Sequence, residues 1–204
     1  MKNTIFIAAL VIALIAVFAA PAHSDGLILR GGMNWGSANT DPEIDEENKE
    51  FRQGFNAALL GEVGGGALRL LVGGGFENRG LRVTDGTNEG EMRLDYVTVP
   101  VMLSIGSVSD RQFIPRIFVN AGVEPAFLVS SDVSLGGFTT DFDAEEFDFG
   151  LRGEAGVEIP LSESAGVVLG AGYSQSLTDA IKSDDLESMS RTIHIFAGVK
   201  LGMF

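Results

Sequence analysis

Few side chains in this sequence have the types and spacing that catalysis requires. There are two histidines, His23 and His194, and no cysteine, so disulfides, thiolate nucleophiles and thiolate metal sites are excluded. Ser188, Ser190 and Asp185 lie close to His194, which we expect near the outer rim of the last strand. A serine, a histidine and a carboxylate can form the acyl-transfer site of a lipid-modifying enzyme. Because no nucleophile motif accompanies them, a histidine that only forms hydrogen bonds is the favoured interpretation.

Acidic residues are the other candidates for chemistry. The chain has 28 acidic and 14 basic residues, and its formal net charge of −14 argues against a nucleic-acid partner. The run Asp141-Phe-Asp-Ala-Glu145 has alternating carboxylates, but it lacks the glycine and the twelfth-position glutamate of an EF-hand loop. The glycine-rich stretches 64–66 and 73–75 do not precede a helix, so neither is a phosphate loop. We predict no catalytic, metal-binding or cofactor-binding residues.

The elements that carry these residues are extended strands. Near the C-terminus, Ile193 and Ile195 begin an apolar series at every second position, separated by polar residues and glycines. This period of two defines a strand with one apolar face. Segments of this kind lie near residues 26–37, 51–63, 67–82, 96–105, 116–127, 149–159, 166–174 and 190–204. Long and short connections alternate between them, which predicts an all-β, eight-stranded antiparallel up-and-down transmembrane β-barrel.

Charges of both signs recur on the second face of these strands. An arginine or lysine facing lipid at mid-membrane costs about 2–4 kcal/mol, so this face must line the lumen. The predicted lumen-lining residues are Arg30, Asn34, Asn56, Arg69, Glu77, Arg116, Glu124, Arg152, Glu154, Glu158, His194 and Lys200. Eight strands enclose a space that side chains fill, so we predict a closed, ion-paired lumen, with a narrow path for small solutes or ions as the alternative. Trp35, Tyr96 and Tyr173 are candidates for an interfacial aromatic girdle.

The N-terminus has the features of an export signal. A basic residue precedes an apolar run over residues 5–20, and small residues follow it. The run is shorter than the roughly 20 residues of a spanning helix. We therefore expect residues 1–24 to be a signal peptide, cleaved after Ala22 or Ser24, and residues 25–204 to be the outer-membrane barrel domain.

Most of the acid lies in the predicted long connections. Residues 41–50, 85–91, 132–148 and 179–187 contain 19 of the 28 acidic residues and only two lysines. Negative charge is therefore expected at the outward end of the barrel. A solvated surface is the simple interpretation, and capture of divalent cations that bridge lipopolysaccharide phosphates is the alternative. We expect a monomer that contacts outer-membrane lipid, holds no cofactor and meets an extracellular partner through its acidic loops.

Short motifs add a family resemblance. They are Gly54-Phe-Asn56, Leu94-Asp-Tyr-Val-Thr-Val-Pro100, Asn120-Ala-Gly-Val-Glu-Pro125, Asp148-Phe-Gly-Leu151 and Tyr173-Ser-Gln-Ser-Leu177. With them the chain resembles the PorT-like outer-membrane β-barrel domain family over residues 27–204. The Tyr96-x-x-x-Pro100 element is the most specific, although Thr98 stands where the family usually has Glu. The resemblance implies a Gram-negative outer membrane, recognition of Phe204 by the barrel assembly machinery during biogenesis, and no catalytic residues.

Overall fold

The computed structural model describes residues 25–41, 49–85, 88–108, 114–135, 138–141, 145–178 and 187–202. These ranges form the strands β1 Gly26–Asp41, β2 Lys49–Val63, β3 Leu68–Asp85, β4 Asn88–Thr98, β5 Val101–Gly106, β6 Arg116–Leu135, β7 Phe138–Asp141, β8 Phe147–Pro160, β9 Ala165–Ser176 and β10 Glu187–Gly202. No helix within the described ranges is long and apolar enough to cross a membrane.

Neighbouring strands pair antiparallel around a closed ring, in which β1 contacts both β2 and β10. β4 and β5 form one strand of the barrel wall, because both keep a single register on β3. Gly75 pairs with Thr98 of β4, and Val72 pairs with Val101 of β5. Pro100 interrupts this strand because proline has no N–H to donate to the ladder. β7 is a short addition that pairs with β6 alone. The predicted eight-stranded antiparallel barrel is confirmed.

The strands continue further toward the long-loop end than the sequence pattern indicated. β3 reaches Asp85 and β4 begins at Asn88, so most of the loop predicted over residues 85–91 is paired strand. β6 likewise reaches Leu135, inside the loop predicted over residues 130–146. Apolar alternation ends where the lipid ends, but backbone N–H and C=O groups still require partners. Paired strand therefore extends beyond the residues that show alternating apolar side chains.

The apolar side chains of the strands face outward. Leu29 is 62% exposed, Ile117 68% and Leu201 53%, and Leu169 and Ile195 are also exposed. A soluble protein does not expose a continuous apolar belt of this kind, whereas lipid accommodates it. The predicted orientation of the strands is confirmed.

Three layers of inward side chains follow one another along the strands and fill the lumen. Nearest the short turns is the mouth cluster, which consists of Glu62, Arg69, Arg116, Glu158 and Lys200. Next is the apolar layer, which consists of Ile28, Leu60, Leu71, Met102, Phe118, Val168 and Phe196. Beyond it is the outer cluster, which consists of Arg30, Glu77, Arg79, Glu124, Asp148, Arg152 and Glu154. The prediction of a polar lumen is right for both clusters and misses the apolar layer between them.

Glycines make room for the two aromatic rings of the apolar layer. Gly156 lies opposite Phe118, and Gly170 lies opposite Phe196. A Cβ at Gly156 would lie 2.6 Å from Phe118 Cζ, and one at Gly170 would lie 2.5 Å from Phe196 Cζ. Each ring therefore lies close to a backbone position that has no side chain. Glycine at these sites lets large rings occupy the centre of a narrow barrel.

Candidate functional site in the lumen

Glu154 is the centre of the outer cluster, and its side chain is fully buried. Arg30 donates to both carboxylate oxygens, at 2.7 and 2.8 Å. Arg152 donates through Nε at 2.7 Å, and Asn120 donates through Nδ2 at 3.0 Å. The bidentate guanidinium fork is among the strongest ion-pair geometries in proteins. Glu154 therefore links β1, β6 and β8 across the lumen.

Contacts of Arg79 and Arg152 extend this network around the barrel. Arg79 donates to Glu124 at 2.8 Å and to Glu77 at 3.2 Å. Arg152 also donates to Glu124 and lies 3.6 Å from Glu77. Carboxylates and guanidiniums thus alternate, which compensates the cost of removing each charge from water. The arrangement connects opposite walls and leaves these charges engaged with one another.

Asp148 belongs to this network. It was predicted to lie in the acidic connection over residues 132–148, at the outward end of the barrel. It is only 3% exposed. It accepts a hydrogen bond from Arg79 at 2.6 Å and another from Thr178 Oγ1 at 2.6 Å, and the Ser176 hydroxyl also donates to it. Because β8 begins at Phe147, position 148 shares the inward face of that strand. The register of β8 therefore determines its role.

The mouth cluster closes the other end of the lumen. Lys200 Nζ donates to Glu62 at 2.7 Å and to Glu158 at 2.8 Å. Arg69 donates to Glu62 at 2.9 Å, whereas Arg116 lies 3.7 Å from Glu158. Glu62 is not among the predicted lumen-lining residues, although its even position on β2 matches the inward residues of that strand. Arg116 is the most weakly paired cation of this cluster.

A further group of buried polar side chains, nearer the long loops, was also not predicted from the sequence. Arg52 donates to the amide oxygen of Asn78, whose Nδ2 donates to Asp95. Arg93 Nη2 lies 2.9 Å from Asp95 Oδ2. The pairing of β4 with β6 shifts register between Asp95 and Tyr96, and both residues are buried. This bulge breaks the alternation from which lumen-facing residues were predicted.

His194 lies inside the lumen, so its expected place near the outer rim is wrong. It is fully buried, and its Nε2 lies 3.3 Å from Glu154 Oε1. Ser190 is four residues further along β10, or about 13 Å away at the usual strand rise, too far for a hydrogen bond. Asp185 and the side chain of Ser188 lie outside the described residues. The lumen-lining interpretation of His194 is confirmed, and the described residues do not form the hypothesised acyl-transfer arrangement.

The Tyr96-x-x-x-Pro100 element has a structural explanation. Tyr96 points inward, is 2% exposed and lies under the guanidinium of Arg79, 5.1 Å from the ring centroid. Such a cation–π contact is stronger when it is removed from water. Tyr96 therefore does not belong to an outer aromatic girdle, and its candidacy for that girdle is wrong. Tyr173 is 43% exposed, and Trp35 shares the outward positions of β1.

No group of three or more histidine or acidic residues within the described ranges is arranged to hold a metal ion. Residues 142–144 lie outside those ranges, so the alternating carboxylates of 141–145 are not placed. In the lumen, Glu77, Glu124 and Glu154 are already engaged by guanidiniums. This arrangement connects the barrel walls.

A closed ring of antiparallel strands with a lipid-facing apolar belt and an ion-paired interior is an integral barrel of the outer membrane. Sequence comparison agrees. Residues 26–182 match the family described as outer membrane protein beta-barrel domain, and the chain belongs to this family. No curated protein matches the sequence.

Solved structures share the fold. Neisserial surface protein A superposes with a TM-score of 0.53 at 14% identity, over 87% of this chain and 97% of that one. The outer membrane protein OprG from Pseudomonas aeruginosa gives 0.52 at 11% identity, over 88% and 97%. Both are eight-stranded outer-membrane barrels. The family and the fold together place this protein in the outer membrane.

Proposed function

We propose that this protein is a small, ion-tight barrel that holds acidic loops at the cell surface, for surface structure or for contact with an extracellular partner. In this proposal it is a monomer, catalyses no reaction and is one of the PorT-like barrels of Gram-negative bacteria. The observation that carries the proposal is the lumen, which ion pairs and apolar side chains cross from wall to wall.

The contacts of the lumen support a closed interior. A hydrated ion entering it meets the mouth cluster, then Phe118 and Phe196 of the apolar layer, then the outer cluster. Breaking one buried ion pair by removing a partner costs about 3–5 kcal/mol, and a hydrated path requires several pairs to separate. A wall connected in this way also holds the strand ends in a constant arrangement.

The acidic sequence of the long connections supports the surface role. Like charges repel one another, and carboxylates favour contact with water. An excess of carboxylates also attracts cationic protein surfaces and divalent cations, which prefer oxygen ligands. A basic partner, or a cation bridged to lipopolysaccharide phosphate, is therefore the chemistry we expect these loops to meet.

Single-channel recording tests the ion-tight lumen. Purified protein in planar bilayers should give no steady conductance, and the heat-dependent mobility shift of the same preparation on gels verifies that the barrel is folded. Steady conductance from the folded protein would refute the closed interior and favour the ion path.

A partner screen tests the surface role. Vesicles carrying the wild-type barrel are compared with vesicles in which Glu43, Asp45, Glu46 and Glu47 are replaced by their amides. Glu163→Gln, in the exposed turn at the opposite end, is the matched control. A genuine partner should bind the wild type and the control and lose affinity for the amide variant. Equal binding to all three would exclude the first acidic loop as the contact.

Residues 1–24 lie outside the described residues, and we propose them as a cleaved signal peptide. N-terminal sequencing of protein isolated from outer membranes should begin at His23 or Asp25. A chain that keeps Met1 would contradict this proposal.

A further inference from the structure

A small cavity lies in the lumen among inward residues of β1, β2, β3, β5, β6, β8 and β9. Arg116 and Glu158 of the mouth cluster line it, as do Asn120 and Arg30, and residues of the apolar layer complete its walls. Ser104 also lines it and lies opposite Asn120 on the neighbouring strand. The cavity therefore brings polar groups from both sides of the apolar layer to one space.

Two buried polar atoms of the cavity-lining residues have no hydrogen-bond partner among the described residues, Oδ1 of Asn120 and Nε of Arg116. Asn120 is 2% exposed and Arg116 is 8% exposed. Asn120 donates through Nδ2 to Glu154, which leaves its Oδ1 to accept a hydrogen bond from another group. A buried donor and a buried acceptor without partners are unfavourable. Each of these atoms therefore calls for a hydrogen-bonding partner in the cavity.

The two atoms indicate which small molecule can serve as either partner. A partner of Asn120 Oδ1 must donate, and a partner of Arg116 Nε must accept. A halide has no proton to donate, and a metal cation cannot accept. The cavity is the size of one water molecule, and Ser104 adds a hydroxyl that already accepts from Arg116 at 3.2 Å. Water satisfies all three groups, so the site selects water over ions.

Further buried polar atoms continue beyond Glu154, which contacts both Asn120 and His194. His194 pairs across the strands with Asn34, and Thr192 pairs with Ser174. These four side chains are at most 4% exposed, and each has an atom without a hydrogen-bond partner among the described residues. Water-binding groups thus follow one another along the β1, β10 and β9 wall.

We propose that the lumen passes single water molecules through the cavity at Asn120 while it holds back ions. The proposal rests on the ion-tight lumen described above and adds an activity to it. Water crosses the apolar layer on the polar side offered by Ser104, Arg116 and Asn120, and it keeps hydrogen-bond partners at each step. An ion would have to shed its hydration shell where the charges are already paired.

Osmotic shrinkage of proteoliposomes, followed by stopped-flow light scattering, tests the proposal. Wild-type protein should accelerate shrinkage over protein-free vesicles. Asn120→Leu fills the cavity with an apolar side chain and should reduce the protein-dependent rate about tenfold, since passing water loses a hydrogen-bonding partner. Met102→Leu, in the apolar layer of the same wall, is the matched control and should keep the wild-type rate. If the heat-dependent mobility shift on gels shows that Asn120→Leu does not fold, Ser104→Val is tested in its place.

Wild-type shrinkage equal to that of empty vesicles would overturn the water path, as would a cavity-filling variant that shrinks at the wild-type rate. Neither result affects the ion-tight lumen. Conversely, steady ion conductance would refute the proposed function, whatever the shrinkage rates show.

Discussion

Removing the charge of Glu154 is the sharpest test of the cross-linked lumen. Its carboxylate accepts two hydrogen bonds from Arg30, one from Arg152 and one from Asn120, all within 3.0 Å. Glu154→Gln keeps the shape of the side chain but turns an amide N–H₂ toward guanidinium donors. Arg30, 4% exposed, then loses its charged partner at 2.7 Å.

The expected cost follows from this burial. Breaking a buried ion pair by removing one partner costs about 3–5 kcal/mol, because the remaining charge stays desolvated. Replacing both partners of such a pair is often nearly neutral. We therefore expect Glu154→Gln to lower the free energy of unfolding by about 3–5 kcal/mol. Adding Arg30→Met should recover much of that loss.

Urea unfolding of the protein in lipid vesicles provides the measurement. Trp35 is the single tryptophan of the chain, so its fluorescence reports barrel unfolding without interference from a second tryptophan. Glu163→Gln, in an exposed turn, is the matched control and should leave the unfolding midpoint unchanged. A Glu154→Gln barrel as stable as the wild type, or a double variant less stable than the single one, would refute the reasoning.

Two further pairs of substitutions probe the apolar layer and the lipid-facing surface by the same titration. A Cβ at Gly170 would lie 2.5 Å from Phe196 Cζ, so Gly170→Ala should cost about 1–3 kcal/mol as an overpacked site. Gly153→Ala meets no atom within 4 Å and should not change stability; equal stability of the two variants would contradict the packing argument. Ile195→Arg should cost about 2–4 kcal/mol at mid-membrane, and Leu201→Arg near the interface about 0–1. If Ile195→Arg cost less stability than Leu201→Arg, the position of the bilayer along the strands would be wrong.

Local physics was enough to predict the wall of this barrel. Side chains alternate across a strand, and an arginine in lipid is costly, so Arg30 and Glu154 were assigned inward from their parity alone. The lipid-facing positions, such as Ile195, followed from the same rule. Each of these assignments depends only on the alternation within one strand and on the cost of a charge in lipid. The alternation can be read directly from the sequence.

The contents of the lumen depended on the closed ring. Arg30 meets Glu154 across a sequence separation of 124, and Lys200 meets Glu62 across 138. The bulge that buries Asp95 is a property of two paired strands and is invisible in either one. Which inward side chains meet is set by the stagger of all eight strands at closure. Sequence alone therefore determined which face of its strand each residue takes, because the alternation of side chains is local to one strand. Only the tertiary structure decided which residue it pairs with, because the register of the strands is a property of the whole closed ring.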